Sequence, residues 1–99
     1  MIGSHKTSVS TPVIFRMFIG ECIAFFPTEP GTNNPNTCAN YTHVGQHGAG
    51  EAGVAGTLPA TSDQYAQVLK ELQSIGYNLR IVKRFHPAHR AERVRQLSC

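Results

Sequence analysis

The sequence predicts a small α+β domain: an antiparallel sheet of order β-β-β-α-β with one main helix packed on one face, a two-layer sandwich. Three observations predict it. An apolar stretch broken by Gly20 alternates like a β-hairpin, residues 61–76 have the caps and apolar spacing of a helix, and residues 77–83 alternate like a strand. The 99 residues have the length of one ordinary domain.

The first predicted element after a flexible lead-in over residues 1–11 is a hairpin with strands at 12–18 and 22–26. Both of its faces are apolar, since Val13 and Phe15 alternate with Ile14 and Phe18. One helix covers only one face of a small sheet. We therefore expect either a homodimer through the 13–26 hairpin, or coverage of the second face by the 27–37 loop or a C-terminal helix.

The middle of the chain is predicted to be mostly loop. Residues 27–37 contain three prolines and a glycine, which predicts a surface loop. Residues 40–44 can form a third short strand. Residues 45–56 carry five of the nine glycines and are expected to be loop, with a backbone that a ligand can approach closely.

The clearest element is the helix that starts after Thr61. Thr61 and Gln64 form a capping-box pattern, and Gly76 stands where a left-handed C-cap belongs. A core-facing apolar stripe runs between them, formed by Tyr65, Val68, Leu69, Leu72 and Ile75.

The end of the chain is predicted to lie outside a single domain spanning residues 12–85. Residues 86–99 are expected to be a basic tail or a short helix that Pro87 opens, with Ala91 and Val94 as a thin apolar stripe. We expect that deletion of 86–99 leaves the fold intact, because the capped helix and the four predicted strands precede it.

The basic residues define one candidate surface. Six of the nine lie in the last twenty positions, where Glu92 is the only acid. Such a cluster can contact phosphates, nucleic acid or another anionic partner, or it can be a solvated tail. The candidate phosphate-contacting residues are Arg80, Lys83, Arg84, Arg90 and Arg93. A helix-turn-helix pattern is missing, which makes nucleic acid the weaker interpretation.

The cysteines and the hydropathy exclude several classes. Cys22, Cys38 and Cys99 are odd in number and lack Cys-x-x-Cys spacing, which argues against a disulfide scaffold or a zinc ribbon. Free thiols suit a reducing compartment, and no stretch reaches the length of a membrane span. We therefore predict a cytoplasmic protein without a membrane contact, and we predict no cofactor.

A second candidate site is the segment around His43 and His47. Histidines four apart can share a metal on a helix, but the glycines here argue against one, and on a strand the imidazoles would lie about 13 Å apart. A metal site would need a loop conformation and a third ligand, Glu51 or Cys38. The alternative is that the histidines and Gln46 hydrogen-bond to loop carbonyls. The nearby G-x-G-x-x-G match, residues 48–53, is not followed directly by a helix.

The segments Tyr41–Ala49 (YTHVGQHGA), Pro59–Thr61 (PAT), Ile75–Tyr77 (IGY) and Val82–Arg84 (VKR) carry a family resemblance. Over about residues 12–84 the chain resembles a family of small proteins from bacteria, prophages and mobile elements with the pattern YxHVGQHGA…PAT…IGYxLxVVKR. The family has no assigned activity, so the resemblance implies no catalytic residues. This chain departs from the pattern at Met17, Phe18 and Ile19, which make its hairpin tip unusually apolar.

These observations favour a small non-enzymatic binding or interaction module with a homodimeric or other protein partner. Its candidate ligand-binding residues are Tyr41, His43, Gln46, His47 and Gly48. Two alternatives remain open. One is a nucleic-acid-associated protein that uses the basic strand and tail, and the other is a small metal-binding or hydrolytic protein that uses His43 and His47.

Overall fold

The computed structural model describes residues 10–42, 46–51 and 56–98, with only the backbone described for 46–51. The predicted lead-in therefore lies almost entirely outside the described residues. The sheet has the strand order β4-β3-β2-β1-β5, and β6 also pairs with β1. The elements are β1 (Thr11–Phe18), β2 (Glu21–Pro30), β3 (Thr37–Thr42), β4 (Gln46–Glu51), β5 (Leu58–Pro59), α1 (Ser62–Ile75), β6 (Leu79–Ile81) and α2 (Pro87–Leu97).

The predicted hairpin is confirmed. β1 and β2 pair antiparallel from Ile14↔Phe25 to Phe18↔Glu21. Ile19 and Gly20 connect them with φ angles of 48° and 77°. Positive φ at both central residues is the geometry of a two-residue type I′ turn, whose twist matches that of the flanking strands.

The sheet is antiparallel except at its last strand. β2–β3, β3–β4 and β1–β5 are antiparallel ladders. β6 runs parallel to β1, with Thr11↔Leu79 as the first pair. A parallel pair needs a long connection, and the chain between β1 and β6 supplies one, with α1 as its last element. The predicted α+β class, with a small and mainly antiparallel sheet, is thus confirmed.

The predicted loop over residues 27–37 is too long. β2 continues to Pro30, and its register against β3 shifts between Phe26 and Pro30. A bulge of this kind accommodates prolines that a regular ladder would exclude. Pro27 is fully buried, so the start of this segment belongs to the core, whereas residues 32–34 are exposed as predicted.

The predicted loop over residues 45–56 is wrong in its first half. Gln46–Glu51 forms β4 and pairs with all of β3, from Thr42↔Gln46 to Thr37↔Glu51. Glycine weakens a strand locally, but a six-residue ladder against an existing strand overrides this weak preference.

Helix α1 has the predicted ends. The Thr61 hydroxyl accepts from the Gln64 N–H, and the Gln64 side chain accepts from the Thr61 N–H at 2.8 Å. Gly76 ends the helix with φ at 119°, a conformation that costs glycine little. Val68 and Leu72 are buried, Tyr65 and Leu69 are partly buried, and Ile75 is exposed. The buried part of the predicted stripe therefore ends at Leu72.

The main core lies between α1 and one face of the sheet. Val13, Phe15, Ala24 and Phe26 pack there with Val68 and Leu72 of the helix. Two stacked ring pairs tie the layers together. Phe15 stacks on Tyr65 at 4.5 Å between centroids, and Phe26 stacks on Tyr77 at 5.2 Å.

The second face is covered by the C-terminal segment. Ile14, Phe25 and Cys38 form a separate buried cluster, against which Val82 and Phe85 pack. Helix α2 follows and packs on β2. At Ile14 the cover is therefore the segment before α2, whereas the predicted C-terminal helix covers β2.

The apolar stripe predicted for α2 is wrong. Ala91 and Val94 are exposed, and the buried residue is Arg93. Its guanidinium donates to the carbonyls of Pro27 and Pro35, which ties the helix to the end of β2 and the loop beyond it. Gln96 adds a bond to the carbonyl of Thr28 at 2.9 Å.

Candidate functional site

Tyr41 is a core residue rather than an exposed ligand contact. Its side chain is buried in the main core, and its hydroxyl donates to a Glu71 carboxylate oxygen at 3.2 Å. Glu71 also accepts from Gln67 at 3.4 Å. Burial, followed by the bond to Glu71, raises the pKa of the tyrosine. The bond joins β3 to α1 and fixes the helix over this part of the sheet.

The other candidate ligand-binding residues are only partly described. His43 lies outside the described residues. Gln46, His47 and Gly48 belong to β4, where their register partners are Thr42, Tyr41 and Asn40. These three residues therefore belong to a strand at the edge of the sheet rather than to a loop.

Metal ligands do not cluster in the part of the chain that the structure describes. No group of three histidine, cysteine or acidic side chains is close enough there to hold an ion. Of the two proposed third ligands, Cys38 is fully buried on the second face, and the side chain of Glu51 is not described. The metal hypothesis thus depends on His43, which lies outside the described residues, and on the undescribed side chains of His47 and Glu51.

The candidate phosphate contacts do not form one basic surface. Arg93 is buried and donates to backbone carbonyls, so it is not available to a phosphate. Arg90 donates to Asn36 at 3.2 Å, and Arg80 donates to Ser10 at 3.4 Å. Lys83 and Arg84 are exposed and, among the described residues, have no hydrogen bond or ion pair. Of the five candidate residues, only Lys83 and Arg84 are thus exposed cations without a hydrogen bond or ion pair to the described residues.

The two described cysteines are free and buried. Burial raises the pKa of Cys22 to about 11. Burial also raises the pKa of Cys38 to about 11, although nearby Arg93 acts in the opposite direction. A thiol with so high a pKa holds little thiolate at neutral pH and is a poor nucleophile. Neither thiol suits nucleophilic catalysis.

An apolar surface lies at the turn end of the sheet. Phe18 is 44 % exposed, Ile19 86 % and Leu58 70 %. Leu58 is the register partner of Met17, and an ideal Cβ on Gly56 would lie 4.0 Å from the Phe18 ring. Register partners point to the same face, so Leu58 lies on the face of Met17 and not on that of Phe18. The neighbouring residues Phe18, Ile19 and Gly56 are called the tip surface.

The tip surface lies at the same end of the sheet as Thr42 and Gln46, which flank part of the predicted histidine segment. Thr42, the last residue of β3, pairs with Ile23 near the start of β2 and with Gln46 at the start of β4. The end of β3 and the start of β4 therefore lie at the same end of the sheet as Ile19. The apolar character of Phe18 and Ile19 was visible in the sequence of the hairpin. The neighbouring Gly56 was not, because it reaches Phe18 only through the fold.

Comparison with protein-family models, with curated proteins and with solved structures found no match. Within the described residues, neither helix has the length and apolar character needed to cross a membrane. The case for function consequently rests on the geometry of this chain.

Proposed function

We propose that this protein is a non-enzymatic interaction module of the cytoplasm, and that the tip surface is its contact site. The observation that carries the proposal is Ile19. It is a β-branched residue with a φ of 48°, and its side chain is 86 % exposed. Left-handed backbone costs such a residue about 1–2 kcal/mol, and its exposure to water adds a further cost. Strain and exposure at one position are explained if the residue serves a contact.

The partner that we propose is a second copy of this chain. Two-fold symmetry brings the same patch to both sides of a contact, so the apolar tip surface of one copy would face that of the other. The two apolar side chains, Phe18 and Ile19, bury less area than a permanent dimer needs, and the association is therefore expected to be weak and concentration-dependent. Ile14 is covered within the chain and is not part of this interface.

The experiment is sedimentation equilibrium of the wild-type protein from about 1 µM to about 1 mM, a range that spans weak association. We expect the mean mass to rise with concentration. Phe18→Glu is expected to abolish the rise while the circular dichroism spectrum stays unchanged, because the ring is half-exposed and fills no cavity.

Ile75→Glu is the matched control. Ile75 is 56 % exposed at the C-terminal end of α1. Its substitution also replaces an exposed apolar side chain by glutamate, but away from the tip surface. The control should associate like the wild type. A wild-type protein that is monomeric throughout the range, or equal loss of association in both variants, would contradict the proposal.

The nucleic-acid alternative keeps less support. Of its five candidate cations, Arg93 is buried, and Arg80 and Arg90 make hydrogen bonds within the chain. Free cations at Lys83 and Arg84 would give only a few phosphate contacts. Since salt sensitivity grows with the number of such contacts, steeply salt-dependent retention on DNA or RNA would favour this alternative over the interaction module.

A further inference from the structure

The outer edge of β1 is shared by two short strands that leave a gap between them. Ala60 N–H donates to the Phe15 carbonyl at 3.2 Å on the β5 side, and Val82 N–H donates to the Val13 carbonyl at 2.9 Å on the β6 side. Because the N–H and C=O of one strand residue point to the same side, the Phe15 N–H faces this gap. A pocket of about 290 Å³ lies here.

The wall of the pocket is largely apolar and partly aromatic. Phe15 and Tyr65 line it as a stacked pair, with ring planes 13° apart. Pro59 and Ala60 line one side, and Ile81 lines the other. The volume is at the small end of ligand pockets, which span roughly 300–1,000 Å³. This shape suits the apolar body of a small molecule.

The polar groups at the pocket are cationic. The Arg16 guanidinium is fixed by two bonds of 2.9 Å, to the hydroxyl and the carbonyl of Thr57. Lys83 lines the opposite side, is exposed, and makes no hydrogen bond or ion pair among the described residues. None of the described lining residues is acidic. The exposed Lys83 beside an apolar wall without acidic residues is complementary to an anionic group.

We propose that this pocket binds a small molecule with an apolar ring or short chain and one anionic group, a carboxylate or a phosphate ester. The apolar body lies between the Phe15–Tyr65 stack and the Pro59–Ala60 segment. The anionic group meets the Lys83 ammonium, which is the free charge at the pocket, with the Phe15 N–H as a further donor. The pocket is distinct from the tip surface, and its occupancy does not depend on self-association.

The probes are phenyl phosphate and benzoate, titrated into ¹⁵N-labelled protein and followed by amide chemical shifts. We expect saturable shifts at Ala60 and at residues 81–83. Benzyl alcohol, which keeps the ring without the charge, and inorganic phosphate, which keeps the charge without the ring, should each bind about tenfold more weakly, since about 1.4 kcal/mol corresponds to that factor. Equal binding of either fragment would overturn the proposal.

The variant test compares two adjacent cations. Lys83→Gln is expected to weaken phenyl phosphate binding about tenfold, the usual scale for loss of one charge-assisted hydrogen bond. Arg84→Gln removes a neighbouring exposed cation that does not line the pocket, and it should leave the affinity within about twofold of the wild type. Equal losses in the two variants would mean non-specific attraction, and no saturable shift with either probe would mean no site.

Discussion

Ile19 lowers stability in two ways, through its backbone conformation and through the exposure of its side chain. Among the described residues it is the only one other than glycine with a positive φ, and its side chain is almost fully exposed. The preferred sequence of a type I′ turn is Asn-Gly, because asparagine tolerates the left-handed region. The chain already has the glycine at position 20 and lacks only the asparagine.

Ile19→Asn is therefore expected to raise stability while it lowers self-association. Relief of the backbone strain should stabilise the fold by about 1 kcal/mol, which raises Tm by roughly 4–8 °C in a domain of this size. Thermal unfolding and sedimentation equilibrium measure the two effects. Ile19→Thr is the control, since it keeps the β-branch and the strain but is more polar, and it should lose association without a gain in Tm. A less stable Ile19→Asn would contradict the strain argument.

At the scale of elements, α1 was predictable because its signals are local. The cap at Thr61, the stop at Gly76 and the apolar spacing all lie within sixteen positions. β4 was not predictable in this way. Its residues have weak strand preference, and only the ladder to β3 makes them a strand. The burial of Arg93 was not predictable for the same reason. The carbonyls that accept hydrogen bonds from it are 58 and 66 positions away in the sequence.

The same contrast appears at the candidate site. The apolar character of the hairpin tip was visible in the sequence at Phe18 and Ile19. The pocket beside Phe15 was not, because it forms where β5 and β6 approach β1 from distant parts of the chain.

Among substitutions in helix α1, truncation of Leu72 is expected to lower the stability of the domain most. This side chain is fully buried in the main core. Leu72→Ala should lower the free energy of unfolding by about 2–5 kcal/mol, through lost burial and the cavity left behind. Ile75→Ala removes similar atoms from an exposed position of the same helix, and it should change the free energy by no more than about 0.5 kcal/mol. Urea denaturation gives both values, and similar losses in the two variants would contradict the packing of α1 described above.

The start of α2 is expected to weaken in mild acid. His86 N–H donates to His89 Nδ1 at 2.9 Å, and Ala88 N–H donates to His86 Nδ1 at 3.1 Å. Both imidazoles must be neutral to accept these bonds. Burial, and then the nearby His86, Arg93 and Arg80, lower the pKa of His89. A base with a lowered folded-state pKa binds more protons when unfolded, so its contribution is complete above about pH 6.5 and is lost as pH falls through the folded value.

Tm measured from pH 7.5 down to pH 5.5 tests this dependence. Glutamine at position 89 can accept the same bond in a capping box but does not titrate. The Tm of His89→Gln should therefore fall less than that of the wild type over this range. Comparison of the two proteins cancels the contribution of the other histidines, which both of them contain. Identical pH profiles would show that the His89 cap does not respond to acid.

At the scale of the whole molecule, the sheet is covered on both faces by one chain. Helix α1 covers one face, and the segment from Val82 through α2 covers the other. The basic C-terminal residues are thus partly structural, because Arg93 supplies donors to Pro27 and Pro35 that no other described side chain supplies. Composition alone therefore does not tell which of these basic residues are packed and which are exposed.

Deletion of residues 86–99 is therefore expected to destabilise the domain, contrary to the expectation from sequence. The deletion removes the cover supplied by α2 next to the cluster of Ile14, Phe25 and Cys38, and it takes away the donors from Arg93 and Gln96. Each of these hydrogen bonds contributes about 0.5–1.5 kcal/mol net, since the released carbonyls can bind water instead, and a domain of this size has only about 5–15 kcal/mol in total. A control that lacks only residues 98–99 keeps both donors and should unfold like the full chain. Thermal unfolding by circular dichroism and the dispersion of amide resonances distinguish the outcomes. A chain ending at Phe85 that still unfolds cooperatively near the full-length Tm would show that residues 12–85 suffice for the fold and that α2 is an accessory.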